Sequence, residues 1–301
     1  MTTIDGLPEG LTTRPLSIAD AEAVHASIAA EEEVDLGAVD MTVEDVLADW
    51  QRPSYDIAAS TIGVFDGDLL VGYGDLSDTD VAYAAVLPAH QGFGIGTAIA
   101  RWLQERARAA GSTRIGTQVP EGSAADRLMR DLGYEVRWTA WDLELPADRE
   151  VSARPLPEGF AIRDAEESDR EAAWTLVEDC FLEWSERDRM SLADFGSRVW
   201  DRPGSRPWNL RMLTSPDGIL VGATHVFLSG DGAHVARIAV RPDHRGQGLA
   251  PPMLVDAFGL AREHGAVRSC LSTDTRAGAR GLYEKVGMEV ASTWVNRAIT
   301  L

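Results

Sequence analysis

The sequence predicts two consecutive copies of one α/β domain, each a mixed β-sheet covered on both faces by helices. Three recurrences lead there. LPEGLTTRP at Leu7–Pro15 returns as LPEGFAIRD at Leu156–Asp164, an offset of 149 residues. VLPAHQGFGIG at Val86–Gly96 returns as VRPDHRGQGLA at Val240–Ala250, and LMRDLGY at Leu128–Tyr134 as LYEKVGM at Leu282–Met288, both offset by 154. Landmarks recurring in one order at this spacing mark duplicated folds, because such repeats are far longer than solenoid units. The 301 residues suit two domains, expected at residues 1–148 and 153–301. Between them Pro146–Pro157, PADREVSARPLP, carries three prolines and four charges without apolar periodicity, which reads as a linker.

Each half reads in the same order. A short strand (Leu11–Arg14; Phe160–Arg163) leads into helices with apolar residues at helical spacing, such as Ala172, Leu176 and Cys180. Hairpins follow: Ile57–Phe65 and Leu69–Leu76 flank the turn DGD, while Asn209–Leu213 and Ile219–Phe227 flank SPDG. A further strand ends at Val86 or Val240 and passes through a glycine-rich turn into a helix, Ile95–Ala110 or Leu249–His264. Another strand, a short helix ending at Gly133 or Gly287, and terminal strands Glu135–Leu145 and Glu289–Leu301 complete the copies. Strands on either side of helices predict a mixed sheet.

Composition narrows the function. With 28 basic against 48 acidic residues, the formal charge of −20 repels phosphate backbones and anionic membrane surfaces, so no nucleic acid and no membrane partner is expected. Val81–Ala100 is long enough to span a bilayer, yet it holds Pro88, His90, Gln91 and Gly92, Gly94 and Gly96. Cys180 and Cys270 form neither a CxxC nor a CxxH spacing, so zinc and a disulfide framework are not expected. The start shows no basic segment followed by an apolar one, and a cytoplasmic monomer or homodimer is the expectation.

The informative segments are Gln91–Gly96 and Arg245–Ala250, each between a strand and a helix. Glycine permits positive φ and close backbone approach, so successive amides can converge on an anion at a helix N-terminus. A pyrophosphate is the natural guest. No GK[ST] follows, which excludes a P-loop, and the dinucleotide-binding GxGxxG spacing is absent from both copies. A ligand-free strand-to-helix turn would explain one such segment readily, but its repetition at matched positions favours binding.

VRPDHRGQGLA followed by a helix, with LYEKVGM beyond it, resembles the GNAT superfamily of acyl-CoA-dependent N-acyltransferases, and the likeness covers both halves. The resemblance implies two tandem GNAT domains, each a mostly antiparallel mixed sheet flanked by helices. It implies acetyl-CoA as acyl donor, with no metal and with a small-molecule amine as acceptor. The turn residues Arg245, Gly246, Gln247, Gly248, Leu249 and Ala250 would grip the pyrophosphate, and Ile238, Ala239 and Val240 would bond the pantetheine arm. In the first half the same places are Val86 and Gln91, Gly92, Phe93, Gly94, Ile95 and Gly96.

Tyr283 matches the family's tyrosine near the CoA sulfur, where it would donate to the departing thiolate. The matched residue in the first half is Met129, and a thioether cannot donate a proton. The expectation is therefore a catalytic second copy and a first copy that is structural, binds CoA without turnover, or shapes the acceptor pocket. The second half departs from the family in two places: Pro251 and Pro252 remove amides from its helix start, and Thr275 and Arg276 stand where an asparagine is usual. An attacking amine must lose a proton, and the sequence singles out no base; His234 and Asp274 are candidates, with a core or surface role the alternative for both. Acidic clusters at Glu31–Asp35 and Glu178–Glu186 would either draw a cationic amine or form solvated helix faces. Trp184, Trp200 and Trp208 would line an acceptor pocket or the core. Two rivals stay open: an acyl-CoA sensor without turnover, and an acyltransferase acting on a protein amine or with a longer acyl group.

Overall fold

The computed structural model describes residues 4–152 and 155–301. Ala153, where the second domain is expected to begin, lies outside them, as does Arg154 in the expected linker. The first half runs β1 (Thr12–Arg14), α1 (Ala21–Asp35), α2 (Val43–Trp50), α3 (Ile57–Ser60), β2 (Thr61–Asp66), β3 (Leu69–Asp78), β4 (Val81–Val86), α4 (Ile95–Ala109), β5 (Arg114–Pro120), α5 (Ala124–Asp131) and β6 (Glu135–Leu145). The second runs β7 (Ala161–Asp164), α6 (Arg170–Leu182), α7 (Leu192–Arg198), β8 (Leu210–Thr214), β9 (Leu220–Ser229), β10 (Gly232–Val240), α8 (Ala250–Glu263), β11 (Arg268–Asp274), α9 (Arg280–Lys285) and β12 (Glu289–Thr300).

Two expected strands begin later than read. Ile57–Ser60 is a helical turn, because the Asp56 carboxylate accepts the Ala59 amide at 3.0 Å and caps it, and Ala58 and Ala59 favour the turn. Asn209 closes a single 3-10 turn instead of starting β8: its Oδ1 accepts the Arg206 amide at 2.6 Å and its Nδ2 donates to the Val226 carbonyl at 2.7 Å.

The contacts gather into two compact units, residues 1–139 with 293–301 and residues 140–292. In the first the strand order is β1-β2-β3-β4-β5-β12, in the second β6-β11-β10-β9-β8-β7. Only β4–β5 and β10–β11 pair in parallel; the remaining described pairs are antiparallel. These limits differ from 1–148 and 153–301 through an exchange of terminal strands. Ala140–Leu145 of β6 pairs with β11 of the second half, and Trp294–Thr300 of β12 pairs with β5 of the first. Asp142 anchors the first of these by accepting from the Ser272 and Ser292 hydroxyls, each at 2.6 Å. Arg297 anchors the other through a buried ion pair with Asp126 of α5.

Each sheet buries both faces. In the first unit Ile62, Val64 and Val71 pack under α4, whose apolar face repeats at Ile95, Ile99, Leu103 and Ala107, while Leu16, Trp50 and Tyr73 meet α1 and α2. In the second, Val226, Val235 and Leu271 lie with Leu254 and Phe258 of α8, and Met212, Ala223 and Ala239 lie with α6 and Phe195 of α7.

Candidate active site

The parallel pair in each unit is zipped at one end only. β4 meets β5 at Val81↔Gly116 and Ala82↔Thr117, and β10 meets β11 from Gly232↔Arg268 to Val235↔Leu271. Beyond these pairs the strands part, so their last residues lose ladder partners on that side. In β10 a bulge between Val235 and Arg237 coincides with the parting. Leu87 N bonds Val71 O and Arg241 N bonds Val221 O, both at the outer hairpin. By strand alternation the peptide groups of Val86, Ile238 and Val240 face the gap, whereas those of Ala239 belong to the β9 ladder.

The turns after these strands match in detail. Gly92 and Gly94 have φ of +81° and +92°, and Gly246 and Gly248 have +76° and +74°. Such values favour glycine, and they turn successive amides outward ahead of the helix. Gly94 is the N-cap of α4, which leaves the first-turn amides of Ile95, Gly96 and Thr97 without helical acceptors. Gly96 serves a close approach: a Cβ there would lie 2.9 Å from Leu128 Cδ2 of α5. In the second half Leu249 is the N-cap, followed by Ala250, Pro251 and Pro252, so two of the equivalent donors are missing. Phe93 and Gln247 are exposed at the turn tips, where their backbone rather than their side chains can serve a ligand.

The first residue of each turn has a role that the motif does not reveal. Gln91 Nε2 donates to Val86 O at 3.2 Å and to Glu31 Oε1 at 3.1 Å, and Glu31 Oε1 also accepts Val86 N at 2.9 Å. Arg245 Nε donates to Val240 O at 2.9 Å, and its guanidinium forms a two-pronged pair with Glu183 at 2.6 and 2.7 Å. Both side chains brace the strand end against the end of the first long helix, so neither points to a phosphate. Glu31, half-buried at a cavity wall, has its carboxyl pushed up to about 7, first by desolvation, with Asp35 and Glu32 adding to it and the Val86 and Gln91 donors offsetting only part.

In the first half a cavity of about 470 Å³ follows the gap, lined by Ala84, Val86, Gly94, Thr97, Val119 and Met129 among others. Met129 stands there at the place Tyr283 holds in the second copy. Tyr283 lies on α9, 7 % exposed, in the apolar cluster that includes Leu254 and Phe258 and against which Ile238 packs. Burial alone pushes its phenol up to about 12. The hydroxyl is thus a donor at every ordinary pH.

The other candidates take structural parts. Asp274 accepts the Arg276 and Ala277 amides at 2.8 and 3.2 Å and the Arg276 guanidinium at 2.5 Å, which shapes the β11–α9 turn. His234 sits where β10 and β11 are still paired, 3.5 Å from Cys270 Sγ and 5.4 Å from the Phe227 ring. Three acidic residues of the second cluster are matched rather than open: Glu178 pairs with Arg187, Glu183 with Arg245, and Asp179 with Arg189. Trp208 stacks on His264 at 4.5 Å, Trp200 tilts on Phe195 at 5.4 Å, and Trp184 lies by Phe181 and the Arg276 guanidinium.

Comparison with known proteins agrees with this geometry. The acetyltransferase (GNAT) family matches twice, over residues 27–134 and 170–288, together more than half of the chain. A mycothiol acetyltransferase of Streptomyces avermitilis is 29% identical over 238 residues, covering 75% of each chain. One of Thermobispora bispora is 28% identical over 279 residues, covering 89% of this chain and 92% of its own. The crystal structure of a GCN5-related N-acetyltransferase from Sphaerobacter thermophilus superposes with a TM-score of 0.75 at 26% identity, over 98% of this chain and 96% of its own. Among the described residues no helix is long and apolar enough to cross a membrane. A parted strand pair, a glycine turn and a following helix, built twice and matched twice by one family, establish that the chain belongs to the acetyltransferase (GNAT) family and is an N-acetyltransferase with two such domains in tandem.

Proposed function

We propose that the chain moves an acetyl group from acetyl-CoA to the amine of a small molecule, by direct attack, in its second half. The observation that carries this reading is the combination of an open strand edge at Ile238 and Val240 with Tyr283 on the helix that flanks the same sheet. The turn amides of Gly246–Ala250 would hold the pyrophosphate, and the edge peptides of Ile238 and Val240 the pantetheine arm. An edge N–H would also stabilise the oxyanion that forms at the thioester carbon.

Tyr283 would serve the leaving group. Passing a proton from a phenol near 12 to a thiolate of pKa about 8.5 is uphill, so a hydrogen bond that strengthens as charge gathers on sulfur fits better than full transfer. With Asp274 engaged by its own turn, the amine proton would leave through solvent. The first half would hold CoA in its cavity without turning it over, since Met129 cannot donate and both gap-facing groups of Val86 are engaged by Glu31 and Gln91. Relatives named mycothiol acetyltransferase, at 28% and 29% identity, support a small-molecule acceptor rather than a protein amine.

The test is calorimetric titration of the whole chain with acetyl-CoA beside a thiol-release assay over a panel of amines. Uptake with thiol release on small amines is expected. Uptake without release on any amine would favour a sensor, and acetylation of peptides alone would overturn the acceptor class.

A further inference from the structure

A carboxyl with one unused oxygen stands in the first-half cavity. Glu31 Oε1 accepts the Val86 amide and the Gln91 side chain at 2.9 and 3.1 Å. Its Oε2 bonds no group among the described residues, and Glu31 lines the cavity together with Val86, Gly94 and Thr97. The side chain closes the strand edge with one oxygen and offers the cavity the other.

The copies differ at this point. Cys180 is the match of Glu31, and its thiol turns to the Val240 carbonyl at 3.5 Å. A pantetheine arm carries amide carbonyls that need donors. In the second half the Val240 N–H can supply one; in the first the Val86 N–H is taken, so the arm meets Glu31 instead. A carboxylate and a carbonyl both only accept, so the free oxygen suits the arm when it carries a proton.

The surroundings favour that form. On α1 itself Glu32 and Asp35 add negative charge, Glu32 being held by the Asp40 and Met41 amides at 2.9 and 3.1 Å. From β3 comes Tyr73, a phenol that burial keeps neutral. From α5 come Arg127 and Asp131, which line the same cavity, and Arg127 acts on Asp35. The turn after β4 brings His90, 4.0 Å from Asp66, and α2 turns Asp45 onto Thr42. Desolvation and the α1 acids prevail, pushing the Glu31 carboxyl up to about 7. A pyrophosphate at the turn beyond Gln91 would press the same way, since neighbouring anions disfavour each other's charge.

Resting on the reading that the first half holds acetyl-CoA, we infer that Glu31 replaces the strand edge as its polar partner there, donating from a protonated oxygen to an amide carbonyl of the pantetheine arm. The carrier then enters with a proton: solvent gives one H⁺ to the Glu31 carboxylate, and the resulting O–H bonds the arm. No covalent bond of the carrier forms or breaks. Below pH about 7 the proton is already in place; above it each carrier must draw one from solvent, and affinity falls. Cys180 gives the second half no such carboxyl.

Calorimetric titration of the whole chain with acetyl-CoA tests this at pH 6, 7 and 8, in buffers of different ionisation enthalpy, against Glu31→Gln and Glu31→Leu. Glutamine keeps an acceptor for Val86 and an N–H donor for the arm without titrating; leucine keeps neither. Two carriers per chain are expected in the wild type, one of them bound about tenfold more weakly at pH 8 than at pH 6. At pH 7 the wild type should take up about half a proton more than Glu31→Gln, a difference that cancels protons exchanged by the carrier's own phosphates. Glu31→Gln should bind both carriers without that loss of affinity, and Glu31→Leu should lose the pH-sensitive one at every pH. Two carriers per chain with equal proton uptake and equal pH dependence in the wild type and Glu31→Gln would overturn the inference and leave the first half a carrier site. One carrier per chain at pH 6, held alike by the wild type and Glu31→Leu, would overturn the reading on which it rests.

Discussion

Glu31 Oε1 accepts the Val86 amide at 2.9 Å, so the strand edge that would meet a carrier in the first half is closed by the protein's own carboxyl. The matched residue in the second half is Cys180, whose thiol reaches Val240 O at 3.5 Å and leaves the Val240 amide to the gap. One substitution between the copies thus separates a closed edge from an open one.

The protonation of Glu31 gives a pH signature. Burial raises its carboxyl from 4.5 to about 7, so the folded chain keeps a proton that the unfolded chain releases between those values. Stability from this group is therefore complete below pH about 4.5 and is lost as pH rises through about 7. Glu31→Gln keeps an acceptor for Val86 and cannot ionise. Urea unfolding at pH 5 and pH 8 should show a loss that is larger in the wild type than in the variant by up to a few kcal/mol, the remainder coming from other raised carboxyls such as Asp75. Equal losses in both would contradict the assignment.

Asp126 and Arg297 give the opposite sign. Burial works against the Asp126 carboxylate, but the Arg297 guanidinium and the Gly122 amide outweigh it and hold the group below its usual range. Its contribution is present at neutral pH and is lost as pH falls through the folded value. Arg297→Ala strands a buried carboxylate and should cost about 3–5 kcal/mol near pH 7, with a smaller cost in acid. A denaturation midpoint unchanged at pH 7 would show that β12 is held in the first unit by its ladder alone.

The duplication and the order of elements were legible because apolar periodicity and turn glycines are local signals. The exchange of β6 and β12 was not. Both strands carry the same alternation in the same place of their copies, so nothing in either marks whether β5 or β11 will be its partner. The turns at Gln91–Gly96 and Arg245–Ala250 were legible for the same local reason, but the braces formed by Glu31 and Glu183 join residues about 60 apart, beyond any spacing rule.

The two turns can be told apart by their glycines. Nothing lies within 4 Å of a Cβ at Gly248, where φ is +74°, so Gly248→Ala strains the backbone without a clash, by about 1–2 kcal/mol. Relaxation of that strain would swing the amides away from an anion. Turnover at limiting acetyl-CoA should fall about tenfold in Gly248→Ala and stay near wild type in Gly94→Ala, where φ is +92°. The reverse ranking would place the chemistry in the first half.

The most direct test compares Tyr283→Phe with Met129→Leu in the thiol-release assay, with acetyl-CoA binding measured by calorimetry in parallel. Loss of the hydroxyl should reduce turnover by about 10²- to 10⁴-fold with acetyl-CoA affinity nearly unchanged, while Met129→Leu should leave turnover as it was. Full activity in Tyr283→Phe, or a comparable loss in Met129→Leu, would contradict a second half that works through its phenol.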